Sequence, residues 1–195
     1  MTSRDSILAA VRQNQPAPLA PVPAIPSFAR DTEPLLEQFK SVLLSMGGKL
    51  APPVDRGDLD GLVHSLFPDA TVICSATLEV RGTRMLDGST DPTALADVDV
   101  AVVRAAFGVA ETGSVWLSEQ ELKVNALAYL AQHLIVLLDP SCIVGNLHQA
   151  YRDFRFNTAR YAVLVTGPSA TADIEGVLVH GAQGVRSLTV AMVAP

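Results

Sequence analysis

A seven-residue loop places a carboxylate and two hydroxyl groups within four consecutive positions. The stretch 108–114 reads Gly-Val-Ala-Glu-Thr-Gly-Ser and lies between two apolar runs. Its glycines allow a tight turn or a close approach of the backbone to a ligand, while Glu111, Thr112 and Ser114 supply hydrogen-bonding groups. Two interpretations stay open. The first is a ligand-binding loop around Gly113, with Glu111 as a nucleophile or general base. The second is a polar turn of a β-hairpin.

A second polar loop follows the apolar run 161–165. The stretch 166–175 reads Thr-Gly-Pro-Ser-Ala-Thr-Ala-Asp-Ile-Glu. In open α/β sheets, ligands bind beyond the carboxyl ends of strands, where a glycine-containing loop and a helix start leave backbone N–H groups unpaired. The alternative is that Ser169 or Thr171 is a plain N-cap of a short helix. The residues predicted to bind an anion here are Thr166, Gly167, Pro168, Ser169, Thr171 and Asp173.

The remaining sequence matches no common cofactor or metal motif. Neither loop continues into the Gly-Lys-Ser/Thr of a P-loop, and neither has the G-x-G-x-x-G pattern of dinucleotide-binding proteins. The four histidines have no metal-ligand spacing. Cys74 and Cys142 lie far apart in apolar surroundings, which indicates buried, inert thiols. We predict no metal and no cofactor in this chain.

Composition limits the classes of partner. The net charge is −6 without a cluster of Lys or Arg, so a nucleic-acid partner is not expected. No run approaches the roughly 18 to 20 apolar residues of a membrane span. The amino-terminal residues lack the apolar region of a secretory signal, which predicts a cytoplasmic protein. A homo-oligomer is compatible with the sequence.

The elements that must position these loops follow from the hydrophobic pattern. Apolar runs rich in β-branched residues predict strands at 71–74, 98–103, 114–117, 134–138, 161–165 and 188–193. Helical spacing predicts helices at 6–13, 59–66, 122–130 and 143–154, and one capped by Asp31 that stops at Gly47. Strands that are apolar on both faces are typical of a buried parallel sheet. The sequence therefore predicts a single layered α/β domain, with a mostly parallel sheet flanked by helices.

The first 30 residues differ from the rest. Prolines are dense between Gln15 and Pro26, and they favour an extended chain because they remove backbone donors. We therefore predict an amino-terminal helix and proline-rich linker over residues 1–30, and one domain over residues 31–195.

Taken together, the two loops resemble the signature stretches of the LUD-domain family of lactate-utilisation proteins. Their order and spacing agree, His133–Val136 resembles the family's central strand, and Gly181–Gly184 occupies the place of its late glycine turn. This chain departs from the family pattern at Gln183, where a histidine is common, and at Val185, where a proline is common. A proline often seen before the central strand is also missing.

The resemblance implies a fold similar to the ribose-phosphate isomerase, glucosamine-phosphate deaminase and CoA-transferase group. It also implies a place in a system that oxidises L-lactate to pyruvate, with iron–sulfur clusters in partner proteins. Since this chain lacks cysteines for a cluster, our first hypothesis is an accessory subunit that binds iron–sulfur partner proteins and a small anionic ligand. The alternative is a stand-alone enzyme that acts on a sugar phosphate or a CoA thioester.

Overall fold

A computed structural model describes residues 2–15, 21, 23–24, 26, 34–154, 156–173 and 175–194. The strands, in chain order, are β1 (Lys49–Leu50), β2 (Ile73–Ser75), β3 (Arg84–Met85), β4 (Val100–Arg104), β5 (Phe107–Val109), β6 (Ser114–Ser118), β7 (His133–Leu138), β8 (Ile143–Val144), β9 (Ala162–Val165), β10 (Ala170–Thr171), β11 (Val179–His180) and β12 (Ser187–Met192). The α-helices are α1 (Ser3–Gln13), α2 (Leu35–Ser45), α3 (Leu59–Leu66), α4 (Glu119–Leu122), α5 (Leu127–Leu130) and α6 (Leu147–Asp153).

The main sheet has six strands in the order β1-β12-β7-β4-β2-β3, and every adjacent pair is parallel. Its central strands β4, β7 and β12 are buried along nearly their whole length. This burial explains why they read as continuous apolar runs in the sequence. The prediction of an α/β fold with a mostly parallel sheet is confirmed.

A second sheet has four strands in the order β8-β5-β6-β9, in which β6 runs antiparallel to both of its neighbours. Strands β5 and β8 are parallel. A separate two-stranded antiparallel ribbon joins β10 to β11. The predicted strands 114–117 and 161–165 lie in the second sheet, because 107–118 forms a hairpin that leaves the main sheet and pairs with later strands.

The main sheet is covered on both faces. Helix α3 packs its buried residues, Leu59 among them, against one face of β2, β4 and β7. On the other face, Phe39 and Leu43 of α2 lie in one cluster with Leu127 of α5 and the inner residues of β6. The domain is therefore layered, with α3 on one side and α2, α5 and the second sheet on the other.

Two predicted helices were wrong in part. The segment 122–130 contains two single turns, α4 and α5, because Lys123 has φ 60° and interrupts the helix. The segment 143–154 begins as strand β8, which pairs with β5. Helix α6 starts only after Asn146, whose side chain accepts a hydrogen bond from the Gln149 backbone N–H at 2.9 Å.

The amino-terminal helix forms as predicted but begins three residues earlier, at Ser3. Thr2 and Asp5 make a capping box, and α1 has no buried residue. Helix α2 begins at Leu35, so the Asp31 cap lies outside the described residues. None of the helices in the described part of the chain is long and apolar enough to cross a membrane.

Candidate functional site

The structure brings the two predicted loops together. Residues 110–113 form the turn of the β5–β6 hairpin, which confirms the hairpin interpretation of that loop. The Ser114 hydroxyl donates to Thr112 Oγ1 at 2.7 Å and contacts the hydroxyl of Thr166, just after β9. The side chains of Thr112, Ser114 and Thr166 thus form a short row of hydroxyl groups. Glu111 is exposed beside this row.

The glycines of the two loops allow close packing on the end of α2. Gly113 has φ 61°, and a Cβ there would lie 2.5 Å from the backbone nitrogen of Leu43. Gly167 has φ 63°, and a Cβ there would lie 2.3 Å from the carbonyl oxygen of Met46. Both the backbone conformation and the space therefore require glycine at these positions. The end of α2 therefore packs directly against both loops at these glycines.

The second loop does not start a helix, so the N-cap alternative was wrong. Ser169 leads directly into ribbon strand β10, and its backbone N–H donates to the Val185 carbonyl at 3.0 Å. The Gly181 N–H donates back to the Ser169 carbonyl at 2.8 Å. Thr171 donates its hydroxyl to the Asp173 carboxylate at 2.8 Å. These bonds fix the turn 181–186 that precedes β12.

That turn borders a cavity of about 380 Å³ at the amino edge of the main sheet, which we call the amino-edge cavity. Its lining includes Phe67, Asp99, Gln132, His133 and Arg186. The His133 ring stacks on Phe67 with 4.4 Å between ring centroids, and His133 Nδ1 lies 2.8 Å from Ser187 Oγ. These two contacts hold the imidazole in one orientation. They leave Nε2 as the ring nitrogen without a described hydrogen-bond partner.

Charged groups of both signs surround His133, because Asp69 and Asp99 line the cavity together with Arg186. Burial lowers the pKa of His133, the charges of Arg186 and Lys49 lower this pKa further, and Asp99 opposes them with a smaller effect. Neither Arg186 nor Lys49 has an acidic side chain within 4.0 Å in the described part of the chain. An anion beside Arg186 would gain a favourable charge interaction with that guanidinium, while Asp69 and Asp99 would oppose it.

The nearby carboxylate of Asp99 is already engaged. Its Oδ2 accepts hydrogen bonds from the Thr71 backbone N–H at 2.8 Å, the Thr71 hydroxyl at 3.0 Å and the Val72 backbone N–H at 2.9 Å. These bonds lower the pKa of Asp99. The charge of Asp99 therefore stabilises the start of β2. The three donor groups of Thr71 and Val72 partly offset this negative charge.

Sequence reasoning missed His133 as a site residue, because it weighed the histidines only for metal-ligand spacing. A signal was present in the chain. His133 opens β7 and Arg186 directly precedes β12, and these two strands pair in parallel with His133 opposite Ser187. Polar residues at the starts of adjacent parallel strands lie at the same sheet edge. Phe67, which completes the site, comes from a distant segment.

The opposite edge of the main sheet carries a second opening. Two adjoining cavities of about 410 and 580 Å³ share Ala76 and Thr77, and we call them together the carboxyl-edge cleft. The cleft lies between the ends of β2 and β4. The chain leaves β2 towards β3 on one side and leaves β4 towards β7 on the other. Such a reversal of strand order is where open α/β sheets bind ligands.

A charged pair that includes the cleft-lining Arg104 lies beside this cleft. The Arg104 guanidinium donates from Nε and Nη2 to the two carboxylate oxygens of Glu79, at 2.5 and 2.6 Å, and from Nη1 to the Val193 carbonyl at 3.1 Å. The hydrogen bonds from Arg104 lower the pKa of Glu79. The pair ties the loop after β2 to the ends of β4 and β12.

The two thiols differ in their surroundings. Cys74 is buried in the main sheet, and burial raises its pKa. Cys142 is only half-buried and lines the 410 Å³ cavity, so the expectation of two buried thiols was wrong for this residue. Its position in the Asp139–Ile143 turn exposes one side. Within the described residues, no three His, Cys, Asp or Glu side chains are grouped as metal ligands.

Comparison with known proteins identifies the family. The model of the LUD domain matches residues 89–193, more than half of the chain. The chain belongs to the LUD-domain family. The matched region starts before β4 and ends after β12, so it contains both signature loops, His133 and Arg186. The predicted resemblance of the chain to this family is thereby confirmed.

Two similar proteins add to this assignment. An uncharacterized protein of Neisseria meningitidis serogroup B is 28% identical over 102 residues, which cover 51% of this chain and 44% of that protein. The matched region is thus less than half of that relative. The crystal structure of a DUF162-family protein from Deinococcus radiodurans superposes with a TM-score of 0.63 at 18% identity, covering 82% of this chain and 96% of that one. This similarity shows that the two proteins share a fold.

Proposed function

We propose that this protein is an accessory subunit of a bacterial L-lactate utilisation system and that it binds a small anionic ligand in the amino-edge cavity. Membership of the LUD-domain family supports the first part. The position of Arg186 beside His133 supports the second, and it is the observation that carries the proposal. A carboxylate such as lactate or pyruvate is the ligand class that suits an arginine and an imidazole.

The signature loops have a positioning role in this proposal. Ser169 is bonded through its backbone to the turn that carries Arg186, and Gly167 seats that loop on α2. Arg186 donates its own backbone N–H to the Gln132 carbonyl at 2.8 Å, next to His133. Residues 166–169 therefore fix the position of the Arg186 backbone relative to the His133 imidazole.

Protonation of His133 would couple binding to pH. The lowered pKa of His133 favours the neutral imidazole in the free protein. A bound anion favours the charged form and raises the pKa of His133. Affinity should therefore increase as the pH falls through the His133 pKa of the complex. In this state both ring nitrogens donate, one to Ser187 and the other to the ligand.

The partners belong to the same proposal. Iron–sulfur proteins of the system would carry the electrons from lactate, and this chain would associate with them in the cytoplasm. The exposed amphipathic helix α1 supplies a surface for such contacts, since Ile7 and Val11 are 62% and 54% exposed. No residue of the chain is assigned to electron transfer.

Calorimetric titration of lactate, pyruvate and phosphate into Arg186→Gln tests the site. Loss of one charged hydrogen bond should weaken binding at least about tenfold. Arg152→Gln removes an exposed arginine from α6 and is the matched control. His133→Gln should remove the pH dependence of binding. Unchanged affinity in a folded Arg186→Gln protein would refute the amino-edge cavity as the binding site.

Ser169→Ala separates a positioning role from direct contact. The backbone bonds of Ser169 remain in this variant, so affinity should change less than about twofold. A tenfold loss would show that the hydroxyl contacts the ligand, as the sequence predicted. The lactate role is tested by growth of a deletion strain on L-lactate, with the wild-type and Arg186→Gln genes returned. Normal growth of the deletion strain would refute it.

A further inference from the structure

Lys123 has an unusual backbone conformation at the rim of the carboxyl-edge cleft. Its φ is 60° and its ψ is −50°, and the Val124 N–H donates to the Leu122 carbonyl at 2.6 Å across it. This is a γ-turn with a positive central φ, which is rare and strained for a residue with a side chain. The capping box of Ser118 and Glu121 fixes the single turn of α4 before it. The local sequence thus holds Lys123 where it lines the 580 Å³ cavity.

A second free cation lines the same cavity. Arg81 is exposed, and neither Arg81 nor Lys123 has an acidic side chain within 4.0 Å among the residues described. Arg84, which also lines the cavity, is already paired with Asp97 through two hydrogen bonds of 2.6 and 2.7 Å. The chain has a net charge of −6, whereas these two cations give the opening of this cavity a local excess of positive charge. They create a local preference for an anionic group.

The wall between these cations is apolar. Leu78, Val80, Met85 and Leu86 line the cavity, and Leu78 and Met85 are almost fully exposed to solvent. Exposed large apolar side chains beside a concave surface indicate contact with a ligand. A cavity of about 580 Å³ lies within the usual size range of small-molecule sites.

We propose that the carboxyl-edge cleft binds an organic anion with an apolar body, such as a medium-chain carboxylate or an alkyl phosphate. Lys123 and Arg81 hold the charged group, and Leu78 and Met85 cover the alkyl chain. The strain at Lys123 fits this assignment, because a strained residue that presents a charge to a cleft sacrifices stability for a function. This site and the amino-edge cavity lie at opposite ends of β2 and β4. A negative result at one site therefore leaves the proposal for the other site unchanged.

Calorimetric titration of hexyl phosphate, hexanoate, hexanol and inorganic phosphate tests the ligand class. The two anions with an alkyl chain should bind at least about tenfold more tightly than hexanol or inorganic phosphate, since both charge and apolar contact contribute. Equal affinity for hexanol and hexyl phosphate would show that the cations have no role, and would overturn the proposal.

The variants Arg81→Gln and Lys123→Gly test the two cations. Each should weaken hexyl phosphate binding about tenfold, and the double variant more. Lys123→Gly should also raise the melting temperature, because glycine adopts the positive φ without strain. Lower affinity together with higher stability is a result that a purely structural lysine would not give. Arg12→Gln on α1 is the control, and wild-type affinity in the folded double variant would refute the assignment.

Discussion

The two edges of the main sheet are held together by different interactions. At the amino edge, Gly113 and Gly167 let two loops approach α2 at backbone contact distance, and backbone hydrogen bonds from Ser169 complete the packing. At the carboxyl edge, the charged pair of Glu79 and Arg104 joins the loop after β2 to the end of β4, beside an open cleft. At the amino edge, a side chain added at either glycine would collide with the backbone at the end of α2. At the carboxyl edge, the charged pair can be weakened by a change of pH or by a substitution that adds no atoms. Substitutions at the two edges should therefore fail in different ways.

The largest effect should come from Gly167→Val, which breaks the packed edge. Valine would need the φ of 63° and would place its Cβ 2.3 Å from the Met46 carbonyl oxygen. We expect a loss of more than about 4 kcal/mol in the free energy of unfolding, measured by urea denaturation. Gly57→Ala is the control, since a Cβ there meets open space, and it should change stability by less than about 0.5 kcal/mol. A mild Gly167→Val phenotype would show that the loop moves away from α2.

Glu79→Gln tests the charged edge. Removing one partner leaves Arg104 without its carboxylate, and we expect a loss of about 2 kcal/mol at pH 7. The folded protein lowers the pKa of Glu79 below its ordinary value of 4.5, so the contribution of this carboxylate is present above that value. It is lost as the pH falls through the lower pKa of the folded state.

Urea denaturation between pH 7 and pH 3 measures this difference. The stability of Glu79→Gln should fall less steeply with decreasing pH than that of the wild type. Glu37→Gln is the control, because Glu37 makes an exposed pair with Lys40 and should contribute less than about 0.5 kcal/mol. Parallel pH profiles of wild type and Glu79→Gln would contradict the predicted linkage.

The two cysteines sharpen the comparison between core and cleft. Cys74 is fully buried in the main sheet, so Cys74→Ala should cost about 1 kcal/mol through lost packing. Cys142→Ala, at the cleft, should cost less than half of that. Growth on L-lactate should survive the double substitution, since neither thiol has a described metal-ligand constellation. Bound iron that disappears in the double variant would contradict this expectation.

Removal of residues 1–26 should have the smallest effect. Helix α1 buries no residue, so the melting temperature should change by less than about 2 °C. Association with iron–sulfur partner proteins should weaken, as measured by co-purification. A drop of several degrees would indicate that the segment packs on the domain.

Each of the six predicted strands is present, and the clearest patterns belong to the strands with two apolar faces. The patterns of β4, β7 and β12 need no knowledge of their neighbours, since burial on both sides leaves continuous runs of Val, Leu and Ile. Two-residue strands such as β1 and β8 carry no such pattern and exist only because a longer strand lies beside them. The spacing of Ile143, Leu147 and Ala150 suits a helix, yet the pairing of Ile143 with Gly108 prevails.

The candidate site was predictable only in its local parts. The signature stretches could be located in the sequence, and the contact between Ser114 and Thr166 brings them together. Their packing on α2 depends on a helix some 70 residues earlier in the chain than Gly113, and no local pattern indicates it. The stacking of Phe67 on His133 is equally non-local. The turn at Lys123 was not predicted, because the leucines on both sides give 122–130 the hydrophobic spacing of a single helix.

The position of β12 has a consequence for synthesis of the protein. This strand lies between β7 and β1, so Lys49 and Leu50 pair with Thr189 and Val190 from the far end of the domain. While the ribosome is still translating the middle of the chain, β1 has no neighbour to pair with. The nascent chain must therefore keep β1 out of contact with other chains until β12 emerges, and a chaperone would be most useful during this interval.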